Sequence, residues 1–180
     1  ALARAKPGVL NYGSGNSGSI SHLGGELFKS MAGIDVVRVA YKGAGPALNA
    51  LIAGEVQIMF PTAASAASHV KSGRAKALAV TSKQPSMLFP ALPTVAATGL
   101  PGYESASLLG ILATAKTPLS TIDRLNREIV RLVKQPDVKE KFLAAGAEPI
   151  GSSPAEFAAT IKAEMTSMGK VIKAAGIRAE

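Results

Sequence analysis

The sequence predicts an α/β fold, a mainly parallel sheet flanked by helices, and three observations carry that reading. Short apolar runs alternate with amphipathic stretches through residue 81, the pattern of successive βαβ units. Each run ends in a turn of Gly, Ser or Pro before the next helical row begins. Of the 180 residues 47% are apolar, with much Ala and Gly and few aromatics, which suits close packing of helices on a sheet.

The elements follow in order. Residues 1–8 carry Ala, Arg and Lys before a Pro-Gly stop and read as a helix tail or an arm. Val9 to Tyr12 is a strand that runs into the loop Gly13-Ser14-Gly15-Asn16-Ser17-Gly18-Ser19. Ile20, Leu23, Leu27 and Met31 then recur at helical spacing, and Gly33 supplies the stop. Residues 35–40 form a second strand, and the turn 41–46 opens a helix carrying Leu48, Leu51 and Ile52, closed at Gly54. Val56, Ile58 and Phe60 alternate with Gln57 and Met59 in a third strand that Pro61 ends. A helix of small residues covers 62–72. A fourth strand covers 76–81, apolar enough at its centre to be buried on both faces.

Beyond it the composition changes. Prolines punctuate a loop over 82–103, with one helical turn near Thr94–Thr98, and 104–114 reads as an extended crossing strand. Ser120-x-x-Asp123 resembles a capping box ahead of the stripe Ile122, Leu125, Ile129, Leu132. Pro136 starts a further helix that stops at Gly146, and 147–150 suits a short strand. Ser153-Pro154-Ala155-Glu156 then opens a helix whose apolar face runs from Phe157 to Ile172. Three amphipathic helices with so little sheet to cover predict that other chain packs on them, either N-terminal chain or a second copy.

The chemistry centres on the loop after the first strand. Glycines let a backbone approach a ligand, and the first N–H groups of a helix lack intrahelical partners. Such a helix start holds anions, so the loop is expected to grip a carboxylate or phosphate. Pro61-Thr62-Ala63 lies at the same C-terminal edge of the expected sheet, where ligands of open α/β sheets sit. A plain strand-to-helix turn at each place is the competing reading.

Other chemistries find less support. Gly13-x-Gly15-x-x-Gly18 matches a dinucleotide fingerprint, but the end of the second strand offers Ala40, Tyr41 and Lys42 rather than an acid. An NADP-dependent enzyme with Lys42 on a 2′-phosphate stays open as a rival. With no Cys, thiol catalysis and disulfides are excluded. His22 and His69 have no second ligand at metal spacing and are expected to cap helices or lie on the surface. Glu26 and Glu104 stand as single, solvated carboxylates, no nucleophile elbow is present, and neither cofactor, metal nor catalytic set is expected. The net charge is +8, yet the basic residues are scattered without aromatics between them, which argues against nucleic acid. No apolar run approaches the ~20 residues of a membrane helix.

Taken together, several stretches resemble a known family. They are Gly13–Ser19 with Ser21-His22-Leu23, Tyr41-Lys42-Gly43-Ala44-Gly45-Pro46-Ala47 and Ala77-Leu78-Ala79-Val80-Thr81-Ser82. Further on come Leu92-Pro93-Thr94-Val95, Gly99-Leu100-Pro101-Gly102-Tyr103-Glu104, Leu125-Asn126-Arg127-Glu128, Gly146-Ala147-Glu148-Pro149 and Pro154-x-Glu156-Phe157. The set is similar to the Bug-type extracytoplasmic solute receptors of tripartite tricarboxylate transporters, in order and across nearly the whole chain.

That resemblance implies a fold like the type II periplasmic binding proteins, here truncated. Residues 8–105 would be the second lobe and 106–180 the returning part of the first. It implies a periplasmic protein, its signal peptide removed, that closes on a small mono-, di- or tricarboxylate and delivers it to membrane transporter subunits. A ligand-sensing effector domain of a regulator shares the architecture and is a second rival. Ligand contacts are expected from Ser14, Gly15, Asn16, Ser17, Gly18 and Ser19, with Tyr41, Pro61, Thr62 and Ala63 lining the same cleft. The family's Pro-Gly-Gly loop of the first lobe has no counterpart here, and Pro61 stands where relatives commonly have Asp.

Overall fold

The computed structural model of the chain describes residues 2–178. A one-turn helix, α1 (Leu2–Ala5), comes first, then β1 (Asn11–Ser14), α2 (Ile20–Ala32) and β2 (Val37–Ala40). After these come α3 (Ala44–Ala53), β3 (Ile58–Met59) and α4 (Ala63–Lys71). The second half has a 3-10 turn at Ala96–Thr98 and the helices α5 (Leu119–Val133), α6 (Pro136–Ala144) and α7 (Pro154–Ala174). The expected α/β architecture with a parallel sheet is therefore present.

The sheet runs β2-β1-β3, all parallel, with Tyr12 opposite both Arg38 and Ile58. Successive residues of a strand point to opposite faces, and Tyr12 and Gly13 show what lies on each. The Tyr12 ring fills the space that a Cβ on Gly25 of α2 would need. A Cβ on Gly13 would instead meet Val56 and Ala47 of α3, the nearest atom at 3.1 Å. Helices α2 and α3 thus cover opposite faces, as right-handed crossovers running in opposite directions require. Helix α4 packs beside α3. The chain therefore leaves β1 and β3 toward opposite faces, and in open α/β sheets a crevice for ligands lies at such a switch point between two strand ends.

One face is an aromatic core. Tyr12 and Tyr103 are buried, Phe28 lies 5.4 Å from Phe60 between ring centroids, and Tyr103 meets Phe28 edge-on at 6.0 Å. The Tyr103 hydroxyl donates to the Gly24 carbonyl at 3.0 Å and ties the end of the proline-rich loop to α2. The other face is the small-residue side, with Ala47, Leu48, Ala50 and Val56 buried.

The second half departs from expectation where strands need distant partners. Residues 76–81 make only one parallel bridge, Val80 to Thr94, and Leu78 is 69% exposed, so the fourth strand does not form. Residues 104–114 pair with no strand. Ser105 N–H donates to the Thr81 carbonyl, beyond which Leu109, Ile111 and Leu112 stand in the open. Residues 147–150 form no strand either. Nor is the Ser120–Asp123 box used, because Pro118 already supplies the N-cap and its carbonyl accepts from Thr121 and Ile122. The Ser153–Glu156 box does form, with both of its reciprocal bonds, and α7 packs against α2.

Candidate functional site

Because the three strands are parallel, the turns after β1, β2 and β3 all lie at one edge of the sheet. The Ser14–Ser19 loop occupies the middle of that edge. Its root is tied down from the β2 side. Arg38 Nε donates to Ser14 Oγ at 2.7 Å, and Arg38 Nη2 donates to the Gly15 carbonyl at 3.1 Å. Ser14 is fully buried, and its own hydroxyl proton goes to the same Gly15 carbonyl.

The α2 side fixes the rest of the loop. Gly15 N–H donates to Ser21 Oγ at 3.0 Å, and Ser21 Oγ lies 3.2 Å from Ser19 Oγ. Gly18, with φ of 75°, turns its N–H onto His22 Nδ1 at 3.1 Å. Ser19 N–H donates to the Asn16 carbonyl, and Asn16 itself is exposed. Several of the loop's amides are therefore spent on shaping it.

The start of α2 differs. Ser19 is the N-cap but its side chain makes no capping bond, while its carbonyl accepts from His22 and Leu23. The first-turn amides of α2 are those that a helix leaves without an intrahelical partner, and the Ser19 hydroxyl does not cap them. By contrast, Thr62 caps α4 by accepting from Ser65 N–H. At the mouth of the β1–β3 crevice, the α2 end presents amide donors and the positive end of a helix dipole.

His22 is 4% exposed. Burial, with Arg38 and Lys29 adding repulsion against a weaker pull from Glu26, holds its pKa below the ordinary value. A neutral ring with an acceptor Nδ1 is what the Gly18 bond needs. Glu26 is half-buried rather than solvated, because it accepts the Tyr12 hydroxyl at 2.5 Å and the Lys29 ammonium at 3.1 Å.

The remaining predicted residues divide. Tyr41 N–H extends the β1–β2 pairing by donating to the Ser14 carbonyl, but its hydroxyl lies 3.4 Å from Glu55 at the far end of α3. Pro61 and Thr62 follow β3 on the other side of the crevice, and Ala63 begins α4. Ala63 also lines a hollow of about 380 Å³ between α4, Leu88–Phe89 and the end of α6, one element away from the loop. No group of three or more metal-ligating side chains exists among the described residues.

Sequence reading passed over Arg38 and Ser21 and left His22 at a cap or on the surface. One signal was available. Arg38 shares its strand face with Val36, so a cation stands two residues along from a buried apolar side chain at the ligand edge.

The parallel sheet with helices on both faces is the fold of the periplasmic binding proteins. The match over residues 1–177 to the model of the tripartite tricarboxylate transporter family receptor then fixes the family, and the chain belongs to it. A Rhodopseudomonas palustris structure solved with adipate is similar at 35% identity and a TM-score of 0.83, over 98% of this chain and 59% of that one. MatC of the same organism, with bound malate, is 26% identical at a TM-score of 0.75, over 95% and 59%. The periplasmic binding protein BugD is 25% identical at 0.71, over 99% and 60%. The chain spans about half the length of most of the curated relatives it matches, 51% and 55% of two of them. The family is one of solute receptors, not enzymes. No helix among the described residues is long and apolar enough to cross a membrane.

Proposed function

We propose that this chain is part of a periplasmic receptor that captures a small organic anion, a mono-, di- or tricarboxylate, for the membrane subunits of a tripartite transporter. The uncapped start of α2, standing at the β1–β3 crevice, is the observation that carries the reading. Its Ile20 and Ser21 amides would take one carboxylate, with Asn16, Ser17 and Ser19 around it. Ser14, Gly15 and Gly18 would hold the loop's shape from inside. Tyr41 and the Pro61–Ala63 turn would line the crevice walls. Adipate and malate in related structures support the ligand class.

On this reading residues 8–105 are the second lobe and 106–180 the returning part of the first. The apolar surface at Leu109, Ile111 and Leu112 would then be covered by further chain of that lobe, or by a second copy where such chain is missing. Thermal-shift titration with adipate, malate and NADPH tests the proposal. Stabilisation by a carboxylate and none by NADPH is the expected result; stabilisation by NADPH alone overturns it.

A further inference from the structure

The guanidinium of Arg38 stands behind the loop and forms no ion pair with an acid among the described residues. Three ion pairs occur among the described residues, Lys29–Glu26, Arg131–Glu128 and Lys141–Asp137, and Arg38 is in none of them. Its two hydrogen bonds go instead to neutral oxygens of Ser14 and Gly15, both residues buried. A guanidinium partly withdrawn from water gains from a counter-charge beside it. Its charge reaches the surroundings, for it acts on both Tyr12 and His22.

We propose that Arg38 is the positioning residue of the anion loop and that its unpaired charge is completed by the bound carboxylate. The inference rests on the carboxylate reading above and assigns a residue to it. Two parallel donors hold the Ser14 hydroxyl and the Gly15 carbonyl, which orients the peptide leading into Asn16. A planar fork fits that pair of acceptors and a lysine ammonium cannot span both. The charge beneath the loop then adds to the α2 dipole without touching the ligand. A ligand of higher charge gains more from it than one of lower charge.

The test uses Arg38→Met and Arg38→Lys in the same chain, with adipate and malate as probes. Calorimetric affinity is read at about 20 and about 200 mM salt, a range over which the screening length falls from roughly 20 to 7 Å. Arg38→Met should bind adipate roughly tenfold or more weakly than the unaltered chain, with a flattened salt dependence. Arg38→Lys should keep the salt dependence while losing only part of the affinity. A merely structural residue would lower affinity in both variants and leave the salt slope alone, which overturns the charge assignment. Should Arg38→Met fail to fold, Arg38→Lys decides: full affinity, or a lost salt slope, defeats the proposal. No binding of either acid by the unaltered chain defeats the carboxylate reading and this inference with it. Tight binding by that chain and by Arg38→Met alike defeats only the inference.

Discussion

Tyr12 and Gly25 occupy one position between them: a β-carbon on Gly25 would lie 2.4 Å from Cε2 of the Tyr12 ring. The ring is buried, its hydroxyl is held by Glu26, and Phe60 meets it edge-on, so it has nowhere to move. Gly25→Ala should therefore strain the contact between α2 and β1 on which the loop is mounted. Overpacking of this kind costs about 1–3 kcal/mol, and the helix preference for Ala returns at most about 1. A lower urea midpoint at unchanged m-value is the expected result. Gly45, with nothing within 4 Å of its added Cβ, is the control, and Gly45→Ala should be neutral or better.

Tyr12→Phe removes the hydroxyl from Glu26 and leaves that half-buried carboxylate to Lys29 alone. A hydrogen bond to a charged group is worth about 1.5–3 kcal/mol, so the loss should approach the lower end. Chemical denaturation checks it, and Glu26→Gln in the Phe background should cost only what the remaining Lys29 pair contributes.

Acid should loosen the loop through His22. Its folded pKa lies below the ordinary value of 6.5, so the unfolded chain takes the proton first. The stability contributed by the neutral ring is complete above about pH 6.5 and is lost as pH falls from there toward the folded pKa. Arg38 and Lys29 oppose the added proton, and Glu26 only partly offsets them. Between pH 7.5 and 5.5 the unaltered chain should lose more stability than His22→Gln, measured by urea midpoint at each pH. Equal losses would show that the ring titrates without consequence.

The sequence disclosed what local chemistry decides. Helix α2 begins with the apolar row at Ile20 and ends at Gly33, and the box at Ser153 and Glu156 forms; the three strands are found in the expected order, β1 running on through Gly13 and Ser14 and the other two shorter than expected. Pairing is not local, and there the reading failed. The apolar run Ala77-Leu78-Ala79-Val80 looks like a buried strand, yet a ladder needs a neighbour and only Thr94 supplies one bridge. The loop was legible as a glycine-rich helix start. Arg38 was not, because nothing local says that a residue 24 positions on from Ser14 will bond to its hydroxyl. That bond follows from sheet register, which sequence spacing does not state.

Ser21 shows how the same register matters for the loop's own amides. Its buried hydroxyl accepts from Gly15 N–H, so Ser21→Ala leaves a buried donor without a partner. An orphaned amide of that kind costs about 1–3 kcal/mol. Ser21→Ala should lower stability by that amount and broaden the Gly15 amide in nitrogen–proton spectra. Ser19→Ala, which removes no cap but takes away the Ser21 hydroxyl's neighbour, should cost less stability than Ser21→Ala while weakening adipate binding. Loss of stability without loss of affinity in Ser19→Ala would remove that hydroxyl from the site.

The apolar segment after the crossing point makes a prediction of its own. Leu109 is 79% exposed, and Ile111 and Leu112 stand beside it at similar exposure. Their backbone belongs to no helix and pairs with no strand, so the segment offers both apolar area and open hydrogen-bonding groups, the combination that favours edge-to-edge association. The 180-residue chain should self-associate with rising concentration in light scattering. Leu109→Lys with Leu112→Lys should return it to a monomer without lowering its melting temperature, because those side chains touch little that a fold could lose. A monomer at every concentration before substitution would mean that the segment folds back on its own helices in solution, and Gly110 is where that would happen. The Phe157 ring of α7 already sits within 2 Å of where its β-carbon would stand. Gly110→Ala should then push the segment off α7 and turn the monomer into an associating species.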